Sequence, residues 1–275
     1  MNKRDFLKGM VATAAGLVVP AHVLAESKYE FRHPIAGLKP AGAGGKPAPI
    51  MQGSTPEERT GVMSTGQILA SDGGVDWYGE VSAEKLIDGI ALAKLIGLTA
   101  GTAQYSDAGW LHVGLDDQEL LIAKRPLQHS LNWNHLNAVK AVYGNLTVEI
   151  NGQMYKVRLL KGANSDPTVY AYGYDVTSSH GSEWNRIFYR LTNNTYTVAS
   201  NRKTSEQPFV HLAQYSEADL ILDYRFGKGS YNWCQELTTG GDRLVRGFYG
   251  VSHSNKPIDG LGDSYYGWRP VLEKV

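Results

Sequence analysis

The chain has 275 residues, with 27 Lys and Arg balanced by 27 Asp and Glu, so its formal net charge is zero. Length alone admits one large domain or two small ones. The charge balance argues against a nucleic-acid binder, which carries a basic excess, and against an acidic disordered chain. Hydrophobic residues make up 42%, as in an ordinary globular protein. The chain carries 31 glycines, 16 tyrosines and 6 tryptophans. With few long apolar runs, this composition predicts a loop-rich fold of short strands. Cys234 is the one cysteine. That excludes an intramolecular disulfide, a CxxC zinc site, a two-cysteine redox centre and an iron–sulfur cluster.

Residues 1–25 read as an export signal. Lys3, Arg4 and Lys8 precede an apolar stretch, Gly9 to Val19, far shorter than the ~20 residues of a membrane span. Val23-Leu24-Ala25 is a small-x-small cleavage site, which predicts Glu26 as the new N-terminus. The segment Lys3-Arg4-Asp5-Phe6-Leu7-Lys8 resembles the twin-arginine export motif, with Lys3 in place of its first arginine. An ordinary secretory signal is the alternative. The expected location is periplasmic, secreted or cell-surface, with no stable membrane span after signal removal. Residues 26–61 hold Pro34, Pro40, Pro47, Pro49 and Pro56 with Gly42, Gly44 and Gly45 between them. This composition predicts a linker, or an arm that docks on a neighbouring subunit.

A packed domain is expected over residues 62–275. Ser82 as N-cap, the apolar series Leu86, Ile87, Ile90, Ala91 and Leu95, and Gly97 as C-cap predict a helix over Ala83–Ile96. Trp110–Gly114 and Glu119–Ala123 read as strands around an Asp116-Asp117-Gln118 turn. Leu131–Val142 reads as a second helix, capped by Ser130 or Asn132. Leu146–Ile150 and Met154–Leu160 flank Asn151-Gly152, the signal of a hairpin with a type I′ turn. Tyr170, Tyr172 and Tyr174 alternate along Val169–Asp175, which would place them on one face of a strand. Glu183–Leu191 has helical spacing at Trp184, Ile187, Phe188 and Leu191. From about Gly227 the tail is rich in Gly, Tyr and Trp.

Four segments carry a more specific signal. They are Ile96–Gln104 with Asp107 and Trp110; Leu121–Pro126 with His129 and Trp133; Tyr155–Asn164 with Gly181–Arg186; and Trp233–Glu236 with Arg243–Gly247 and Tyr266–Glu273. In this order they resemble a domain of tailed-phage virion and prophage proteins, often tail-associated, over roughly Gly79 to Glu273. The Arg243-Leu244-Val245-Arg246-Gly247 and Gly267-Trp268-Arg269-Pro270 segments also resemble the C-type-lectin-like fold of formylglycine-generating-enzyme-like domains and phage receptor-binding proteins. The resemblance implies an α+β, C-type-lectin-like mixed fold with short strands, two or three helices and long loops. The related enzymes use paired cysteines, which this chain lacks.

The residues support a non-catalytic reading. There is no H-E-x-x-H, no G-x-S-x-G elbow and no P-loop, and no acid is placed beside Ser252-His253. Asp116, Asp117 and Glu119, or Asp242, Asp259 and Asp263, offer calcium oxygens, yet no D-x-D-x-D-G pattern joins them, and a polar turn is the simpler reading. No cofactor and no metal are expected. Tyr170, Tyr172, Tyr174, Tyr231, Tyr249 and Tyr265 are the candidate ligand-binding residues, stacking on a glycan or a surface protein. Trp184, Arg186, Arg246, Trp268 and Arg269 are the candidate fold-defining residues, since Arg offers a planar fork for pinning loops. The expected function is exported recognition. The alternatives are a structural, homo-oligomeric subunit of a phage particle or phage-derived assembly, located in the virion, and an exported metal-dependent enzyme.

Overall fold

The computed structural model describes residues 67–170, 173–174, 177–192, 206, 209–221 and 227–275. The predicted signal and the Pro/Gly arm lie outside the described residues. In chain order the elements begin with β1 (Ala70–Asp72), β2 (Val75–Val81), α1 (Gly89–Leu95), β3 (Thr102–Ala103), β4 (Trp110–Leu115), β5 (Gln118–Ala123) and β6 (Gln128–His129). Next come α2 (Trp133–Ala138), β7 (Tyr143–Ile150), β8 (Gln153–Arg158), β9 (Gly173–Tyr174), α3 (Glu183–Leu191) and α4 (Glu217–Leu220). The series closes with β10 (Tyr231–Leu237), β11 (Arg243–Gly247), β12 (His253–Asn255), β13 (Tyr266–Trp268) and β14 (Val271–Lys274). The fold is α+β.

The strands form two seven-stranded sheets, ordered β1-β2-β4-β5-β14-β8-β7 and β3-β6-β13-β10-β11-β12-β9. Every pairing in the first is antiparallel. In the second, β10 and β13 run parallel. Every residue of β4 is buried, because the first sheet is covered on both faces. Leu111, Val113, Leu120 and Ile122 pack with Trp184, Ile187 and Phe188 of α3 on one face. Trp110, Leu121 and Ala123 pack with Leu92, Leu136, Trp233 and Trp268 on the other. Burial on both faces explains near-continuous apolar runs in an antiparallel sheet.

Two hairpins follow from their turn residues. Asp116 and Asp117 adopt φ of 47° and 66°, and Asn151 and Gly152 adopt 52° and 79°. Both pairs are two-residue connections with two positive φ values, as type I′ requires. Short polar side chains tolerate that region better than branched ones.

The helix predicted over Ala83–Ile96 is shorter than expected, Gly89–Leu95. Lys85 and Leu86 donate to the Ser82 carbonyl in a separate turn. Asp88, not Ser82, caps the helix, accepting from the amides of Ile90 and Ala91 at 2.8 and 2.9 Å. Ile90 and Leu95 are consequently exposed, and Leu92 and Ala93 are buried. Gly97 ends the helix at φ 72°. Its amide reaches Lys94 and that of Leu98 reaches Ala93, the two bonds of a Schellman motif. The second helix spans Trp133–Ala138 rather than Leu131–Val142. Asn132 and His135 form a capping box at its start. Lys140 enters the left-handed region at its end, while the Ala141 amide turns back to Leu136. The third helix, Glu183–Leu191, has the predicted bounds. α4, a single turn, is an addition to the predicted set.

Of the strand predicted over Val169–Asp175, the described residues show Gly173–Tyr174 as β9, and residues 171, 172 and 175 lie outside the described residues. Thr168 is tied to Leu237 and Thr239 beside β10, whereas β9 pairs with β12.

Candidate functional site: an aromatic turn pinned by buried polar side chains

The turn between β11 and β12 starts at Gly247 and Phe248. Phe248 has φ 73°, a rare value for a bulky L residue. The Tyr249 amide donates to the Gly247 carbonyl at 3.0 Å, so Phe248 is the central residue of a γ-turn, a strained form. Such strain persists only where the surroundings over-determine it, and here they do. The Phe248 amide donates to Ser230, the His253 amide to Gly250, the His253 ring nitrogen meets the Gly247 carbonyl at 3.0 Å, and the Val251 amide donates to the Glu217 carboxylate.

Two fully buried side chains hold the turn from below. Trp184 Nε1 donates to the Val251 carbonyl at 2.7 Å. Arg246 donates to Gly162, Asn185, Val251 and His253. It is 0% exposed. Fold-forming and turn-forming contacts are therefore made by the same residues.

On this support stands a set of rings. Phe248 stacks on Tyr231 with centroids 4.2 Å apart and planes 7° from parallel. Tyr231 stacks on Tyr266, which stacks on Trp233. Tyr249 and Tyr265 meet Phe248 nearly at right angles, at 4.5 and 5.5 Å. Both geometries suit the quadrupoles of aromatic rings. Tyr265 is 45% exposed, and Phe248 and Tyr249 are half-buried. The backbone of Tyr265 is held from two sides. Its carbonyl accepts from Tyr231, and its amide donates to Asp263 at 2.9 Å.

The structure thus brings Tyr231, Tyr249 and Tyr265 together. Tyr231 is buried, so it supports the face from beneath. Tyr170 joins through Asn255, whose amide donates to the Tyr231 hydroxyl at 3.1 Å, while the Tyr170 hydroxyl lies 3.4 Å from the Asn255 oxygen. Tyr174 lies on β9 opposite His253 in the register, and Tyr172 falls outside the described residues. Phe248, His253 and Asn255 were not anticipated from sequence. The available signal was the pair Gly247 and Gly250 flanking two aromatics, which marks a tight turn that displays them.

The remaining candidate fold-defining residues lie elsewhere. Arg269 sits where β5–β6 and β13–β14 pass together from one sheet to the other. It is 1% exposed and donates to Asn232 at 2.9 Å, to Lys124 at 3.0 Å and to Leu220. Burial, reinforced by the nearby Arg125 charge, pushes its guanidinium below the ordinary value. Trp268 precedes it and is fully buried. Arg186 is more open. It forks onto Asp116, with one contact of 2.7 Å, and this bond draws the Asp116 carboxyl below its usual range.

That pairing also accounts for the acidic turn. Asp116 is occupied by Arg186, and Glu119 lies between His112 at 2.9 Å and Lys274 at 2.8 Å. Asp242 pairs with Lys256 at 3.0 Å, and Asp263 takes the Tyr265 amide. Among the described residues no three His, Cys, Asp or Glu side chains converge as metal ligands. No helix among them is long and apolar enough to cross a membrane.

Two buried groups complete the electrostatics. Glu236 is 2% exposed and accepts from the Gly162 amide at 3.1 Å. Burial raises its carboxyl to about 7, against the lowering effect of the backbone amides. Cys234 is fully buried, and burial pushes its thiol well above the ordinary value, which makes it inert as a nucleophile. A cleft of about 370 Å³ opens beside Asp116, Gln118, Lys161, Asn164 and Arg186. Glu183 in its wall is occupied by a bidentate bond from Arg158 at 2.8 and 2.9 Å. Comparison of the chain with family models, curated proteins and solved structures finds no match.

Proposed function

We propose that this chain is an exported, non-catalytic recognition protein of C-type-lectin-like fold, related to phage tail proteins, whose binding face is formed by Phe248 and Tyr249 of the β11–β12 turn and by Tyr265, which precedes β13 and packs against Phe248. The observation that carries this reading is the strained γ-turn at Phe248. A chain that spends conformational energy to hold aromatic rings at its surface, and pins that turn with buried Arg246 and Trp184, has prepared a rigid contact surface. Pre-organisation of this kind lowers the entropy lost on binding. Tyrosine in particular supplies large contact area with little rotamer freedom to lose.

The test uses the full chain and its Tyr265→Ala variant, each immobilised and exposed to a glycan array and to surface proteins of the producing cell. Retention by the wild type on either, lost in the variant, is the expected result. Blank surfaces at high protein concentration on both would overturn the reading. Fractionation of the producing cell tests the export component, with a species beginning at Glu26 outside the cytoplasm as the expected result and an uncut chain inside particles as the contrary one.

A further inference from the structure

We infer that Glu236 and Arg246 form a pH-operated latch on the β11–β12 turn. While Glu236 is protonated, Arg246 pins the turn. Once Glu236 ionises, its carboxylate draws the guanidinium off the Val251 and His253 carbonyls and releases Phe248 and Tyr249. As a control on binding, the latch rests on the recognition reading above; as a property of the turn, it rests on the contacts alone.

The acid is placed where its charge is unsupported. Glu236 lies on β10 and is buried, and the Gly162 amide donates to it at 3.1 Å. Among the described residues no Lys, Arg or His forms an ion pair with it. A carboxylate buried without a cation is costly, so folding favours its neutral form. Burial accordingly raises the carboxyl to about 7, against the backbone amides of Gly162 and Ala163.

A single residue wires the acid to the arginine. The Gly162 amide donates to Glu236, and the Gly162 carbonyl accepts from Arg246 at 2.7 Å. A Cβ at this position would lie 2.6 Å from Cys234 Sγ and 3.0 Å from Arg246 Cγ, so glycine is needed for both side chains to come this close. The other donors of Arg246 reach Asn185 at 2.7 Å, Val251 at 3.1 Å and His253 at 3.3 Å. All four acceptors are neutral. A carboxylate accepts from a guanidinium more strongly than a carbonyl does, and the low dielectric around two buried groups strengthens the pull. The exchange removes bonds that over-determine the strained γ-turn, and strain without such support relaxes.

The charged and titratable groups around Glu236 are Asp166 from the loop after β8, Tyr143 of β7 with Arg243 beside it, Cys234 of its own strand, Glu183 of α3, and the buried Arg246 and Arg269. Asp166 accepts from the Leu237 amide at 2.9 Å. Burial holds the Tyr143 phenol and the Cys234 thiol above their ordinary values, so neither changes charge near neutrality. His253 is the titratable group on the turn itself, bound to Gly247 at 3.0 Å, and a Glu236 variant separates the two.

The experiment is nuclear magnetic resonance of the full chain, titrated from about pH 5.5 to 8.5 so that the span brackets the raised carboxyl. The Glu236 carboxyl carbon reports ionisation, the Arg246 Nε–H group reports the guanidinium, and the Phe248 and Tyr249 amides report the turn. In the wild type all three are expected to change with one midpoint near 7, the two amides shifting and broadening as the carboxylate forms. In Glu236→Gln, which stays neutral and can still accept from Gly162, the amides should hold their low-pH positions throughout. A carboxyl that does not titrate in this span overturns the latch, as does one that titrates while the turn amides stay fixed. Turn amides that still move near neutrality in Glu236→Gln assign the response to His253 and overturn it too. If that variant fails to fold, the wild-type midpoints decide, and separate midpoints for the carboxyl and the turn overturn the latch. The readout uses no ligand, so its failure leaves the recognition reading untouched, and a chain that binds nothing can still pass it.

Discussion

Arg246 and Asn185 meet at 2.7 Å with neither exposed to solvent. The bond joins β11 to the first turn of α3, and the same guanidinium reaches the Val251 carbonyl, one turn away from Phe248. Stability and display of the aromatic face are therefore coupled through one side chain. Replacing Arg246 by Lys keeps the charge but loses the planar fork, and a point charge cannot serve four acceptors in that geometry. Arg246→Lys is expected to cost at least ~2 kcal/mol in urea unfolding, since bonds from a charged donor contribute roughly 1.5–3 kcal/mol each. The Phe248 and Tyr249 resonances should broaden in the same variant. Full stability with sharp, unshifted resonances would show that the arginine does not hold the turn.

Glu236 predicts an unusual pH response. Its folded-state carboxyl is raised to about 7 from 4.5 by burial, so the folded state holds a proton that the unfolded state releases earlier. Stability from this group is complete below about pH 4.5, falls as pH rises, and is lost above about 7. One pKa unit is 1.36 kcal/mol, so the loss is roughly 3 kcal/mol. Glu236→Gln can still accept from the Gly162 amide and does not ionise. Its stability should change less than that of the wild type between pH 5 and 8. Parallel profiles for the two proteins would assign the titration elsewhere.

Two glycines with positive φ should respond differently to alanine. A Cβ on Gly152 (φ 79°) meets nothing within 4 Å, so Gly152→Ala carries only left-handed strain, ~1–2 kcal/mol. A Cβ on Gly247 (φ 101°) would lie 2.6 Å from the Ser230 carbonyl. Strain and overlap together should cost roughly 3 kcal/mol or more. Denaturant unfolding of both variants measures the contrast, and equal losses would mean the Gly247 turn can relax.

Trp268 is fully buried in the core between the sheets. Trp268→Ala should cost ~3–5 kcal/mol, the range for removing a large aromatic from a packed core. A loss under about 1 kcal/mol would show that the surrounding side chains collapse into the space.

Elements whose signals are local were legible in the sequence. The Asn151-Gly152 hairpin, the bounds of α3 and the Gly97 stop of α1 each depend on residues within a few positions, because turn type and capping are set by local backbone sterics and orphan amides. The start of α1 was not legible, because Ser82 and Asp88 are both competent caps. The contact that decides between them is the Gly89 amide donating to Ser106, which exists only once the chain has folded back. The same limit governs the site. Aromatic richness in the tail pointed to Tyr231, Tyr249 and Tyr265, yet nothing local separates a tyrosine that supports from one that is displayed. Register against β13 placed Tyr231 beneath the face, and the φ of Phe248 placed a ring that composition had not singled out above it. Composition, turn chemistry and the single cysteine were thus settled by sequence alone. Which rings face water, which carboxylates are paired and which arginines are buried were decided by contacts between residues tens of positions apart, because burial and charge pairing depend on the whole packed chain.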